Sequence, residues 1–518
     1  MSLRRRQLLG SAPAAVLAAV GAGVPSRGPD FGALARGIDG RVVLPGDRDY
    51  AEARQLFQPR YDTVAPAAVA YPAHAGDVAV CLDFARRSAA PVVPRGGGHS
   101  YAGWSTRAGG LVVDLGAMAA MAVEGTGVRI GAGARLGDVN RILARHGLGL
   151  PTGLCPTVGI AGLTLGGGLG PASRAHGTTA DRLTGLTAVT PDGTVRDINV
   201  NDNLDANRAP YRAPDRDPDL FWALRGAGGG NFAVVTEFRF RTHPAADCAR
   251  AELRWPDTAS AALLRGWQRW LAALPEPLWS RVEFMVEAGP PPPTTVYVLC
   301  LDGRAELERQ LTRLADLVGS PPQDSWTTVA GYEETLQALS GCAERTAAQC
   351  HLQGTLPGRT PEGQVGRDSY AARSDFWGPA GLADTGIAAV LAAVRRYARD
   401  VPPGGFGVVQ FTGECGGAVN RPAAADTAFV HRDSAFLTQY LAYWPQAAAP
   451  ADIDRHQRWL DGLWQDLRPW ASGRAYQNYT DPKLPAWREA YYGPNLARLE
   501  EVRHTYDPGR LFRFPQAI

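Results

Sequence analysis

Residues 91–105 read PVVPRGGGHSYAGWS, and the rest of the chain is best read outward from them. A short apolar run with two prolines leads into Arg95. Gly96, Gly97 and Gly98 follow in succession, and directly after them come His99, Ser100 and Tyr101. Three successive glycines cost backbone entropy and add no packing, so something must lie close to this backbone.

Glycine clusters recur in GIAGLTLGGGLG, Gly159 to Gly170, and in GAGGG, Gly226 to Gly230. None is followed by GK[ST], which excludes a P-loop. None has the strand, GxGxxG and helix order with a later ribose-binding acid, which excludes a Rossmann fingerprint. A single cluster reads as a turn. Three within one segment favour an extended ligand lying on bare backbone, whose N–H groups bind phosphates.

Composition bounds the partners. The 518 residues accommodate two or more domains, and 45% hydrophobic with 20% charged residues suits a soluble globular enzyme. A net charge of +2 gives no basis for a nucleic-acid partner. The chain begins MSLRRRQLLG and continues SAPAAVLAAVGAGV, a basic start, an apolar run and small residues. That is the anatomy of an export signal over residues 1–26, and Arg4, Arg5 and Arg6 resemble the twin-arginine type. The expectation is a secreted protein with no stable membrane span after signal removal. The seven cysteines are scattered, their pairing is open, and neither CxxC nor HExxH occurs, so no metal site is expected.

From 41 to 245 short strands alternate with modest helices. LVVDL and VRIGAGA read as strands, LGDVNRILARHG as a helix that stops at Gly147, and LTAVTPDGTVRDI as a hairpin turning at Asp192-Gly193. From 246 to 473 the strands SRVEFMVEAG, TTVYVLCLDG, GFGVVQFTGE and AFLTQYLAYW are interspersed with helices at 260–274 and 304–317. This predicts an antiparallel sheet covered by helices. Residues 474–518 read as a loop, a helix and a tail. The fold class is α+β.

A lone histidine is usually structural and a lone cysteine usually packing. The company of His99 and Cys155 changes that reading. RGGGHS, GLCPTVGIAG with GGGLG, LRGAGGGNFAVVTEF, YQNYTDP and YYGPNLARLEEVRHTYDPGRLFRFPQAI together resemble the berberine-bridge-enzyme-like flavin oxidases of the vanillyl-alcohol-oxidase superfamily. The likeness covers nearly the whole chain after residue 26, with its motifs in the family's order. It implies an FAD-binding domain of the vanillyl-alcohol-oxidase (PCMH) type over 41–245, a substrate domain over 246–473, and a return to the FAD domain over 474–518.

The resemblance implies FAD bonded through its 8α-methyl to His99 and through C6 to Cys155. It assigns the cofactor cradle to Arg95, Gly96, Gly97, Gly98, Ser100, Val158, Gly159, Gly162, Gly166, Asn478 and Tyr479. It points to Tyr476 as the base that takes the substrate's hydroxyl proton, with Tyr101 as a further candidate, and places Gln410 and Thr412 toward the substrate. Two departures matter: Thr412 stands where relatives often carry a carboxylate, and Leu169 where several carry a tyrosine. Val158 is a small residue of the kind that leaves the flavin face open to O2.

The implied reaction is oxidation of a CH–OH group to a carbonyl, with O2 as acceptor and H2O2 as product. A small-molecule secondary-metabolite alcohol is the first substrate expectation. An oligosaccharide lactol is the second, oxidative C–C or C=C bond formation a third, and a flavin-binding protein without catalysis the remaining alternative. His431-Arg432-Asp433 imitates a kinase catalytic loop but has no accompanying β3 lysine. Trp255, Trp267, Trp270, Trp326, Trp377 and Trp444 read as core rather than as a sugar-stacking surface.

Overall fold

The computed structural model describes residues 28–200 and 217–518. The export signal expected over 1–26 lies outside the described residues.

Two sheets make the first part of the chain. In the smaller one, strands Ala68–Tyr71, Leu111–Asp114 and Val92–Arg95 run parallel, and Arg41–Val43 closes one edge antiparallel. The helix Ala75–Ser88 crosses over between Ala68–Tyr71 and Val92–Arg95, burying Val78, Cys81, Leu82 and Ala85 on one face. Its start is capped by His74, whose Nδ1 accepts from Asp77 N, and His74, Asp77 and Asp39 form a compact polar group already occupied by backbone N–H donors and by one another. The second sheet has five antiparallel strands, with Val234–Arg241 between Gly127–Gly131 and Leu183–Val189. The hairpin turns at Gly193, whose φ of +85° suits glycine.

The second part is a seven-stranded antiparallel sheet whose strands lie between Cys248 and Trp444. Period-2 alternation sorts its two faces. Val282, Phe284, Val409, Phe411, Phe436 and Tyr440 point into the core beneath helices Ser260–Leu271, Arg304–Val318, Asp384–Ala398 and Pro450–Leu467. Arg281, Glu283, Gln410, Thr412, Gln439 and Tyr443 alternate to the other face. Trp255, Trp267, Trp270, Trp377 and Trp444 are buried, and Trp326 is exposed on the edge strand Asp324–Ala330. The apparent kinase loop is structural: Arg432 donates to both Asp181 oxygens at 2.8 and 2.7 Å, joining the two parts of the chain.

The C-terminal segment then comes back. Tyr476 N donates to Ser374 Oγ, Asn478 Nδ2 donates to Leu163 O, and Phe512 bridges to Val92. Cys342 and Cys350 form a disulfide. No described helix is long and apolar enough to cross a membrane.

Candidate active site

The loop after strand Val92–Arg95 and the loop carrying Cys155 lie backbone against backbone. A Cβ at Gly97 would fall 2.2 Å from Gly159 N, and a Cβ at Gly159 would fall 2.3 Å from Gly97 N. Gly98 has a φ of +72° and turns the chain toward His99. The imidazole stacks on Phe57 at 4.1 Å, and its Nε2 lies 2.9 Å from Thr157 Oγ1. Burial, and next the Arg135 charge, lower the His99 pKa to about 3, so the ring is neutral. Cys155 is the one exposed thiol among five free cysteines of the described chain. Close packing around it raises its pKa, and Arg281 opposes that shift.

A cavity of about 280 Å³ opens between these loops, the third glycine cluster and the C-terminal segment. Residues 96–101 line it together with Val158, Gly159, Gly162 and Gly228 to Gly230. The walls fit FAD. A Cβ at Gly162 would meet nothing within 4 Å, so backbone faces open space. Ser105 Oγ, in the same lining, is buried without a protein partner.

Two expected cradle residues do other work. Arg95 turns away from the cavity, its buried guanidinium pairing with Asp114 and donating to Ala53 O at 2.6 Å. Gly166 makes room for a side chain, because a Cβ there would fall 2.0 Å from Asn478 Oδ1.

The tyrosines divide sharply. Tyr476, expected as the base, is 2% exposed and packs edge-on against Phe376 and Phe429 in an apolar cluster. Its phenol oxygen accepts from Gly168 N at 3.1 Å and Asn478 Nδ2 at 2.9 Å. It is absent from the cavity wall, and burial raises its pKa. Tyr479 and Tyr101 do line the cavity, as Tyr491 and Tyr492 do, and these first two stack in parallel at 5.5 Å. The same segment that hides Tyr476 thus presents Tyr479. Thr412 is likewise withdrawn: buried, with its hydroxyl donating to Leu437 O at 3.2 Å.

From Tyr101 a polar wall continues along the sheet. Gln439 Nε2 donates to Tyr101 Oη at 2.8 Å, and Tyr370 packs against Tyr101 edge-on. Gln439 is the cross-strand neighbour of Gln410, and Gln410 that of Glu283. Gln410 Nε2 donates to Glu283 Oε2 at 2.8 Å, and Arg281 lies 3.3 Å from the same oxygen.

Residues 66–199 match the family model for an FAD binding domain, and residues 475–518 match that for berberine and berberine-like proteins. The FAD-linked oxidoreductase YgaK of Bacillus subtilis is 31% identical over 488 residues, spanning 93% of this chain and 97% of the relative. The chain belongs to the berberine-bridge-enzyme-like FAD-linked oxidoreductases. The chitooligosaccharide oxidase of Gibberella zeae is 28% identical over 474 residues, 88% of this chain and 87% of its own. Among solved structures, the wild-type BBE-like 1 of Physcomitrella patens superposes with a TM-score of 0.79 at 27% identity, covering 94% and 99% of the two chains.

In this berberine-bridge-enzyme-like oxidase, sequence reasoning missed Thr157, Glu283, Gln439 and Phe57. Gln439 carried a signal, as the polar residue among Leu437, Leu441 and Tyr443 on the face of FLTQYLAYW turned away from the helices. Glu283 carried none, since its partner Gln410 lies 127 residues away.

Proposed function

We propose that the enzyme oxidises a CH–OH group of a carbohydrate to a carbonyl, with FAD tethered by both His99 and Cys155. The polar wall carries this reading: Tyr101, Gln439, Gln410, Glu283 and Arg281 offer closely spaced donors and acceptors beside aromatic faces. A polyhydroxylated ring can exchange hydrogen bonds with such groups, whereas an apolar secondary-metabolite alcohol offers them little. The relatives named as chitooligosaccharide, xylooligosaccharide and carbohydrate oxidases support the same choice.

Bound FAD supplies the hydride acceptor and hands the electron pair to O2, giving H2O2. His99 and Cys155 would hold it, and Val158 lines the same wall as His99. Gln410 and Gln439 orient the sugar. Tyr479 takes the hydroxyl proton as hydride leaves, which makes it the catalytic base in place of Tyr476. Burial, and then the charges of Tyr101, Glu414, Tyr476 and Cys155, raise the Tyr479 pKa. Conversion of the Cys155 thiol to a thioether removes one of those charges. Export of the folded, FAD-loaded protein through the segment around Arg4, Arg5 and Arg6 completes the proposal; replacing all three by lysine should retain it in the cell.

The test of the reaction is an oxygen-electrode screen of mono- and oligosaccharides beside polyketide and glycoside alcohols, with H2O2 measured in parallel. Stoichiometric O2 uptake on sugars supports the reading. Uptake confined to the apolar alcohols overturns it.

A further inference from the structure

Thr157 is 3% exposed, two residues after Cys155, and its hydroxyl oxygen lies 2.9 Å from His99 Nε2. With the hydrogen on Nε2, the Thr157 hydroxyl oxygen accepts it and Nδ1 keeps its lone pair. Phe57, stacked at 4.1 Å, fixes the plane of the ring. The Gly97–Gly159 contact fixes the distance between the two loops.

We propose that Thr157 is the positioning residue for covalent attachment of FAD, holding Nε2–H so that Nδ1 of His99 faces the 8α-methyl group. The inference rests on the histidyl tether of the preceding section and adds the group that makes it form. Attachment joins Nδ1 to the 8α carbon and removes one hydrogen from that methyl group and one from the imidazole. O2 takes these two hydrogens and two electrons and leaves as H2O2, so the atoms and charges balance. The hydrogen lost by the ring is the one on Nε2, directly opposite the Thr157 hydroxyl, which is placed to receive it. The same side chain therefore selects the nitrogen and offers the proton an exit. The low His99 pKa agrees with this, because only a neutral imidazole has a lone pair to give.

The experiment isolates the histidyl tether in a Cys155→Ala background. Full-length Cys155→Ala, Cys155→Ala/Thr157→Val and Cys155→Ala/Thr157→Ser proteins are purified with their FAD. The fraction of flavin that stays with the acid-denatured polypeptide is then followed with time. Attachment should slow about tenfold or more with valine and return to near the Cys155→Ala rate with serine, which restores the hydroxyl. Valine attaching at the Cys155→Ala rate overturns the proposal. If Cys155→Ala itself holds no covalent flavin, the histidyl tether fails, and the proposal with it. A second measurement does not depend on any Thr157 variant folding: NMR of the flavin peptide cut from the Cys155→Ala protein should give an Nδ1 linkage. An Nε2 linkage contradicts the proposal.

Discussion

Gly97 and Gly159 occupy each other's Cβ space, with 2.2 and 2.3 Å from the missing carbon of one to the amide nitrogen of the other. This contact holds the loop that carries His99 against the loop that carries Cys155, and it is the approach that the triple glycine demands. Neither position can take a side chain without parting the loops. Gly97→Ala should destabilise the protein by about 1–3 kcal/mol and lower its covalent flavin content. Gly162→Ala is the contrast: its Cβ meets no protein atom but enters the cavity. Thermal melts should therefore separate the two, Gly162→Ala melting as the parent does while binding less FAD. Equal melting of Gly97→Ala and the parent would refute the close contact.

Two phenols three positions apart should behave differently. Tyr479→Phe should slow anaerobic flavin reduction by ~10²–10⁴-fold with modest change in substrate binding. Tyr476→Phe removes the acceptor of Gly168 N and Asn478 Nδ2, so it should cost about 1–3 kcal/mol of stability and leave reduction within about tenfold of the parent. Stopped-flow reduction combined with melts distinguishes them, and a reversed order would return the base to Tyr476.

The raised Tyr479 pKa gives a signed pH effect. A base works deprotonated, so with its pKa above the usual ~10 the reduction rate should climb through the alkaline range. The climb should be lost in the Tyr479→Phe protein apart from slow assistance by hydroxide. A parent rate flat from neutral to alkaline pH would exclude this phenol as the group that titrates.

Gln410 holds Glu283 and faces the polar wall, so its removal should be felt in binding. Gln410→Ala should raise KM for the sugar by about tenfold, the loss of roughly one hydrogen bond, and leave kcat and the melting temperature near those of the parent. Steady-state kinetics on an active sugar decide it; an unchanged KM removes Gln410 from the substrate wall.

Much of the fold was legible because it rests on periodicity. Alternation in SRVEFMVEAG, GFGVVQFTGE and AFLTQYLAYW marked the seven-stranded antiparallel sheet, and Asp192-Gly193 marked a hairpin of the five-stranded one. The glycine clusters declared that bare backbone was needed, but not that Gly97 would meet the protein's own Gly159 while Gly162 was left open. YQNYTD could not say which tyrosine reaches the cavity. The segment is irregular, so no period assigns faces, and the choice is made by Phe376, Phe429 and Gly168 from distant parts of the chain. Arg95 was misplaced for a similar reason: a basic residue beside a glycine-rich loop suggests phosphate, yet its partner is Asp114 on the neighbouring strand.

The central claim is that this chain holds FAD through His99 and Cys155 together. Acid precipitation of the purified protein, followed by the visible spectrum and intact mass of the washed, redissolved pellet, tests it most directly. Flavin should stay with the parent and with the His99→Ala and Cys155→Ala single variants, each through its remaining bond, and be released completely from the double variant. Flavin that washes away from the parent, or remains bonded in the double variant, would contradict it.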